Sequence, residues 1–452
     1  MPTANSQTGL KRALGLWALI IYGIVLIQPT APMSLFGAAA VQGKGHVVTA
    51  ILIGMVAMMF TAFSYGRMAN AYPNAGSAYA YVSREIHPSL GYFVGWSIIF
   101  DYIMNPIICV IWISGATMNF ISITNSHEAA FLKIFFIVIY TVLFTCMNLR
   151  GIEASARTNT IIAIGLGIVV VLFLGAAARY LFLHPLNGAA DWTRPFYDPQ
   201  TYSFNAVSNC AGLAVLTYIG FDGISTLSEE AKNPRRNILL ATVLVCAIIG
   251  ILSAVQVYLA QLIWPGTDFP NQDTAFCFIA GRAGGQWFFQ IISIALIVAN
   301  FGSGAGAHLG AGRLLYSMGR DNAIPKKFFG AVNPRTHIPA NNILLIGALV
   351  LIGAFTMDYA LGCDLLNFGA LIAFMGVNAS ALLHYFVRAE RKSIWNLLAP
   401  VFGFLVCAYL WWWGLQTKAH IIGAIWLLTG ILYGAWRTNF FRKPMQFAEA
   451  GK

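Results

Sequence analysis

The sequence predicts an all-α membrane protein of twelve transmembrane helices, made of two inverted five-helix repeats and two further C-terminal helices. Three observations predict this class: an apolar composition, apolar runs of membrane-spanning length along the whole chain, and helix-breaking residues at matching places in the first and sixth runs. Hydrophobic residues make up 58% of the 452 residues and charged residues 10%, whereas a soluble domain carries about 25% charged residues. The mean hydropathy of +0.70 agrees, and the runs leave no room for a separate soluble domain.

Each predicted span is an apolar run of about 20 residues, the length that crosses the hydrocarbon core as a helix. In order, the runs cover residues 14–40, 47–70, 91–121, 129–149, 159–183, 204–227, 238–263, 286–315, 339–357, 363–387, 395–415 and 420–436. The first is too long for a signal-peptide core and is therefore read as a span. We predict an N-terminal tail (1–12), a first repeat (13–183), an inverted repeat (204–387), two final helices (394–440) and a C-terminal tail (441–452).

The net charge of +11 reports topology. When the N-terminus is placed inside, most of the 27 lysine and arginine residues fall on the cytoplasmic side, as membrane proteins require. We therefore predict a multi-pass protein of the cell (inner) membrane, surrounded by lipid, with both termini in the cytoplasm. No nucleic-acid partner is expected from this charge.

The cysteines and histidines of the sequence predict neither a metal site nor a catalytic site. The seven cysteines form no CxxC pair, and the eight histidines are scattered, so neither metal ligands nor a catalytic set is expected. We read the cysteines as small buried hydrophobes and expect no cofactor, no metal and no enzymatic activity.

The first and sixth spans carry the two predicted helix breaks. In span 1, two prolines three residues apart fall within 28–32, and proline removes a backbone donor and clashes with the preceding turn. In span 6, Gly220 and Gly223 flank Phe221 and Asp222. Matching interruptions in two halves point to an inverted-repeat transporter with a site near the midplane. The alternative is that both are ordinary kinks, which are common in membrane helices.

Two ionisable residues lie deep in the predicted spans. Asp222 stands in span 6, and Asp101 stands in span 3 with Asn105 four residues later on the same helical face. No deep lysine or arginine is available to neutralise them, and intramembrane carboxylates are costly and usually functional. Either they are protonated and shuttle protons, or a cationic ligand pairs with them, or each is protonated and bonded to backbone.

The candidate site residues surround these acids and breaks. Aromatic rings beside the breaks could bound a cation pocket through their faces, and amides and hydroxyls of spans 8 and 10 could line it. The predicted substrate-binding residues are Asp222, Asp101, Tyr218, Phe221, Tyr102, Asn105, Gln28, Pro29, Thr30, Asn300, Ser303, Phe301 and Asn367. The predicted gating residues are Tyr92, Tyr218 and Phe368.

Several motifs resemble those of the amino acid–polyamine–organocation (APC) superfamily. Tyr72–Tyr81 is similar to its proline-x-alanine-glycine-serine-x-tyrosine signature, Gly220–Glu230 to its sixth-helix motif, and Arg313–Asn322 to the segment after its eighth helix. Within the superfamily the chain is most similar to bacterial putrescine importers, which share the stretches corresponding to Gly95–Tyr102 and Asn367–Leu371.

The resemblance implies a LeuT-type 5+5 fold that works by alternating access. It also implies that Asp222 occupies the acidic position that binds the substrate amine, that Asp101 lines the pocket, and that Tyr92 begins the third helix. The chain departs from related amino acid transporters at 28–32, because prolines replace the glycine-rich break whose backbone amides hold a carboxylate. Span 5 lacks the lysine of some proton-coupled relatives, and Leu216 replaces a tryptophan of polyamine exchangers.

Taken together, these features predict a secondary transporter that imports a small organic cation, putrescine or a related polyamine. We expect proton coupling, with sodium coupling as the alternative, and leave monomer or dimer open. The alternative function is an amino acid permease for cationic or neutral amino acids. An ion channel is disfavoured because broken helices with isolated acids favour an occluded site over a continuous pore.

Overall fold

The structure, a computed structural model, describes residues 14–72, 77–121, 125–150, 156–186, 188–228, 231–320, 324–333, 338–390 and 392–437. Within these ranges it is helical throughout, and the one β-type contact is an isolated bridge between Leu14 and Ala231. The α-helices are α1 (Leu16–Ile27), α2 (Ala31–Gln42), α3 (Val47–Ala71), α4 (Ser77–Glu85), α5 (Pro88–Met118), α6 (Ser126–Leu149), α7 (Ala156–Leu183), α8 (Ala189–Thr193), α9 (Phe204–Ala214), α10 (Pro234–Ile263), α11 (Ala275–Gly284), α12 (Gln286–Arg320), α13 (Lys326–Phe329), α14 (Ala340–Thr356), α15 (Tyr359–Leu382), α16 (Ile394–Trp413) and α17 (Thr417–Arg437).

The helices have the lengths of membrane spans. Among the described residues, 10 helices are long and apolar enough to cross a bilayer, and 11 when the bent pair α1 and α2 is taken as one span. The predicted all-α membrane class is therefore confirmed. Helix α14, which coincides with the predicted ninth span, has 17 residues and falls just short of that length, so the number twelve stays a prediction.

The predicted break in span 1 is present. Helix α1 ends at Ile27, Gln28 takes a left-handed backbone with φ of 67°, and α2 restarts at Ala31 after a bend of 47°. Pro29 has no N–H to continue the hydrogen-bond ladder of α1, whereas Pro32 is tolerated in the first turn of α2, where no intrahelical donor is needed. The two prolines thus end one helix and begin the next.

The predicted break in span 6 is also present and touches the first. Helix α9 gives way to a 3₁₀ turn at Val215–Thr217 and, after Gly220, to a 3₁₀ segment at Phe221–Leu227. Gly220 has a φ of 119°, which favours glycine. A Cβ built on it would lie 3.3 Å from the backbone carbonyl of Leu26. The two breaks, far apart in sequence, therefore lie side by side.

Helices α5 and α15 form the buried centre of the bundle. Both bury most of their apolar length, whereas α6, α7, α16 and α17 bury less than a third of theirs. The two central helices approach closely at Gly369, where a Cβ would lie 2.4 Å from the carbonyl oxygen of Ser97 and 3.2 Å from the backbone nitrogen of Asp101. This contact fixes the position of Asp101 along α5 relative to α15.

A buried carboxylate fastens the end of the bundle at which α1 begins. Glu85 at the end of α4 is 2% exposed and accepts hydrogen bonds from Tyr72 (2.5 Å), His384 (2.6 Å) and Arg388 (2.8 Å). His384 belongs to a π-helical turn, Leu383–Val387, that continues α15. Burial, with the hydrogen bond to Glu85, raises the pKa of Tyr72 to about 12, so the phenol stays the donor.

The contact at Gly369 predicts a matched pair of outcomes. Gly369→Ala forces a methyl group into backbone of α5, and overpacking of this kind costs about 1–3 kcal/mol, so the melting temperature in detergent should fall. Gly175→Ala in α7 has no atom within 4 Å of the new Cβ and should leave the melting temperature unchanged or raise it, because alanine favours helix. Equal melting temperatures for the two variants would contradict the close approach.

Candidate functional site

The structure brings the two predicted carboxylates together at the paired breaks. Asp222 lies in the 3₁₀ segment that follows Gly220, and Asp101 lies on α5. Both side chains are partly buried, and their charges are close enough to interact. The site predicted from the two acids and the two breaks is thus one place in the fold.

The two carboxylates are compensated differently. Asp222 interacts with the backbone N–H groups of its own residue, Gly220 and Gly223, and oriented backbone amides of this kind stabilise a negative charge. Among the described residues, no group donates a hydrogen bond to the carboxylate of Asp101. Neither acid forms an ion pair with a lysine, arginine or histidine in that part of the chain. Within the described ranges, the pair is therefore not neutralised by a basic side chain.

An aromatic cluster packs beside Asp222. Tyr65 of α3 meets Phe221 edge-to-face with ring centroids 5.3 Å apart and Phe374 of α15 at 5.9 Å, and Phe221 lies 5.2 Å from Phe374. Tyr218 is fully buried, and its hydroxyl donates to the carbonyl of Ile51 at 2.7 Å. These rings hold the broken segment against α3 and α15.

Tyr102 differs from the other aromatic residues of the site. Its side chain is 41% exposed, although it lies close to both Asp101 and Asp222. Its ring reaches across to Gly310 of α12, where a Cβ would lie 2.9 Å away. Tyr102 is therefore the predicted aromatic residue that is both beside the acids and accessible.

Polar groups of the first break are already engaged by neighbouring helices. The side-chain amide of Gln28 donates to the carbonyl of Ala299 on α12 at 3.3 Å, and the carbonyl of Pro29 accepts from Gln256 of α10 at 3.1 Å. Thr30 is buried. The break is thus fixed between α10 and α12 by amide side chains.

The predicted amides and hydroxyls of α5 and α12 form a second polar group. Asn105 accepts from the hydroxyl of Ser303 at 3.4 Å, and the amide of Asn300 donates to the hydroxyl of Ser34 at 3.0 Å. These contacts join α2, α5 and α12 one turn beyond Asp101. They place three more predicted residues at the same junction of helices.

Four other candidates point away from the acids. Phe301 packs edge-to-face on Phe144 of α6 at 5.0 Å, and Asn367 donates to the carbonyl of Gly212 on α9 at 3.0 Å. The remaining two, Tyr92 and Phe368, contact the C-terminal helices through the carbonyl of Gly430 (3.0 Å) and the ring of Trp411 (5.1 Å). The structure does not bring these four together with the carboxylates. The sequence could not show this, because a helix that is apolar on every side does not reveal which of its side chains faces a cavity.

A third deep acid was missed. Asp364 on α15 is 1% exposed, and its Oδ2 accepts from the backbone N–H of Gln416 at 3.3 Å, while Oδ1 has no partner. The prediction of only two ionisable residues deep in the spans is therefore wrong. Asp364 is the second residue of the predicted tenth span, and a carboxylate so close to the end of a span is expected to be exposed.

A metal centre in a protein is usually built from several histidine, cysteine, aspartate or glutamate side chains around a metal ion. Among the residues that the structure describes, no group of three or more histidine, cysteine, aspartate or glutamate side chains could hold one. The arrangement can instead bind an organic cation between two carboxylates, or exchange protons with them.

The chain is similar in sequence to known membrane transporters. The sequence profile of the family described as amino acid permease matches residues 14–436. The low-affinity putrescine importer PlaP of Escherichia coli is 33% identical over 98% of this chain and 97% of its own length. The branched-chain amino acid permease BcaP of Bacillus subtilis is 26% identical over 84% of this chain and 82% of its own. The vacuolar cationic amino acid transporter 4 of Arabidopsis thaliana is 27% identical over 84% of this chain and 62% of its own.

The profile match covers nearly the whole chain, and one relative is one-third identical over almost its full length. A match of that extent, together with the helical membrane fold, fixes the family. The chain therefore belongs to the amino acid permease family of the APC superfamily, whose members are membrane transporters and not enzymes.

Proposed function

We propose that this transporter imports a small organic cation, putrescine or a closely related polyamine, across the cell membrane. The observation that carries the proposal is the pair of carboxylates, Asp101 and Asp222, at the paired helix breaks, with no lysine, arginine or histidine partner among the described residues. A diamine brings two positive charges to two negative ones. In a site of low dielectric constant each such pairing is worth more than in water.

The first break argues against a carboxylate on the substrate. In many amino acid transporters the N-terminal amides of a restarted helix hold that group, but here they are used internally. The N–H of Ala31 donates to Gln28 and the N–H of Met33 donates to Thr30, each at 3.0 Å, and Pro32 has none. A substrate that carries amines and no carboxylate fits such a break better.

We further propose the LeuT-type architecture and an alternating-access cycle. In this arrangement α14 is the ninth span, the first repeat runs from α1 to α7, the inverted repeat from α9 to α15, and α16 and α17 follow. The two breaks then occupy equivalent places and meet, which supports the symmetry. The basic residues of the N-terminal end support a cytoplasmic position for both termini.

Proton coupling is the proposed source of energy. Asp101 has no recorded donor among the described residues and no ion pair, so when the substrate leaves, a proton is the simplest group that can neutralise it. No group of three or more metal-ligating side chains occurs in the described part of the chain, and sodium bound by carbonyl oxygens is the alternative.

An amino acid permease is the second candidate function. The similar branched-chain permease and vacuolar cationic transporter support it, because their names give amino acids as substrates. Such a substrate would place its ammonium group at Asp222 and would need another partner for its carboxylate.

Charge removal tests the site. Asp222→Asn and Asp101→Asn should each lower putrescine uptake at least about tenfold, because loss of one partner of a buried charge pair costs about 2–5 kcal/mol. Asp268→Asn, an exposed residue of the loop before α11, makes the same charge change and should leave uptake intact. Normal uptake by both site variants at normal membrane abundance would refute the assignment.

Uptake into proteoliposomes tests substrate and coupling together. Labelled putrescine should accumulate when the outside is more acidic than the inside, and a protonophore should abolish the accumulation. Unlabelled putrescine should compete, whereas lysine and alanine should not. Inhibition by lysine or alanine without inhibition by putrescine would favour the amino acid permease, and accumulation driven by sodium alone would overturn proton coupling.

A further inference from the structure

A second acidic region lies at the end of the bundle opposite the start of α1. It is a pocket of about 420 Å³, which we call the outer acidic pocket. Its walls come from the ends of α2, α9 and α15, the loop before α11 and the turn between α16 and α17. The lining residues are Gln42, Asn209, Gln272, Asp273, Asp358, Tyr359, Ala360 and Gln416.

The charge of this pocket is negative. Asp358 is close enough to influence Asp273, and the positive charge of Lys133 also acts on Asp273. Burial raises the pKa of Asp273, an effect that Lys133 opposes and Asp358 reinforces. The other polar lining side chains are four amides and one phenol, and amide oxygens accept hydrogen bonds from ammonium groups.

Asp364 supplies an independent reason to expect a cation. It lies one helical turn below Ala360 on the same face of α15, and its Oδ2 is bonded to the backbone of Gln416, another lining residue. Its Oδ1 is buried without a partner, which is costly unless a donor arrives. An unsatisfied carboxylate oxygen therefore lies behind the part of the pocket wall that Gln416 forms.

The shape and charge select an organic cation over other ligands. Among the described residues, no group of three or more histidine, cysteine, aspartate or glutamate side chains could hold a metal ion. An extended diamine can reach separate acids. A neighbouring pocket of about 560 Å³ contrasts with this one, because it contains Lys44 and the ion pair of Arg194 with Asp198 and so has no preference for cations.

We propose that the outer acidic pocket binds a small organic diamine before it reaches Asp101 and Asp222, with Asp273 and Asp358 attracting it and Asp364 receiving it. The inference rests on the proposed function for the identity of the ligand. A cleft of one sign of charge raises the local concentration of the opposite charge and speeds its capture.

Uptake kinetics test the pocket. In the double variant Asp273→Asn/Asp358→Asn, the KM for putrescine at low ionic strength should rise about fivefold, because exposed charge pairs are lost. The maximal rate should stay unchanged. Asparagine also caps helices, so the cap that Asp358 makes to the N–H of Leu361 is kept. The rise should shrink at high salt, because screening weakens exposed charges.

The control is Asp268→Asn, which removes the same charge from the same face outside the pocket and should leave KM unchanged. If the double variant is poorly folded, Gln272→Lys, which places a positive charge on an exposed lining residue, should raise KM in the same way. If the double variant and Gln272→Lys both had the same KM as Asp268→Asn, the inference would be overturned. The proposed function would still stand if Asp222→Asn lowered uptake as expected.

Equilibrium binding separates the two proposals if uptake fails. Putrescine should bind weakly to the Asp222→Asn protein, and that residual binding should be lost when Asp273→Asn and Asp358→Asn are added. Residual binding that is unaffected by these changes would overturn the pocket. Absence of putrescine transport by the unaltered protein would instead count against the proposed function.

Discussion

The uncompensated charge of Asp101 and Asp222 is the constraint on which the rest of the structure depends. Carboxylates inside an apolar bundle cost several kcal/mol each unless partners are supplied. The chain supplies part of that compensation locally, through the backbone amides exposed around Gly220 and Gly223. Under the proposed function, the break in span 6 both carries the carboxylate that binds the cation and supplies backbone amides that lower the cost of its charge.

The two breaks form one unit held by a rigid frame. Gly220 contacts the backbone of Leu26, so a change in the angle between α1 and α2 must move the 3₁₀ segment that carries Asp222. In contrast, Asp101 belongs to the long buried helix α5, which Gly369 of α15 contacts backbone to backbone. One carboxylate thus lies on a broken span and the other on a continuous helix, so the proposed alternating-access cycle could change the distance between them.

Local signals in the sequence predict the helix breaks and the two acids of the site, but not which side chains face it. Prolines, paired glycines and isolated acids in apolar runs report breaks and charge directly, so the site at 28–32, Asp101 and Asp222 could be read from them. Facing directions could not: Phe301 and Phe368 lie in helices that are apolar on every side, and only distant contacts decide which ring meets a cavity. Asp364 was missed because its burial depends on Gln416, a residue from a separate turn of the chain.

The acids at the two ends of the bundle differ in their partners, and this difference makes the two ends unequal as places where a cation could be captured. At the N-terminal end Glu85 is saturated by Tyr72, His384 and Arg388 and offers a passing cation little attraction. At the other end Asp273 and Asp358 line an open pocket, and Asp364 below them keeps one oxygen unsatisfied. A cation arriving there can lose its water in stages, because each step replaces hydration with another carboxylate. On the proposed path the cation is then bound most strongly at Asp101 and Asp222. Glu85, at the opposite end, is already paired and attracts it little.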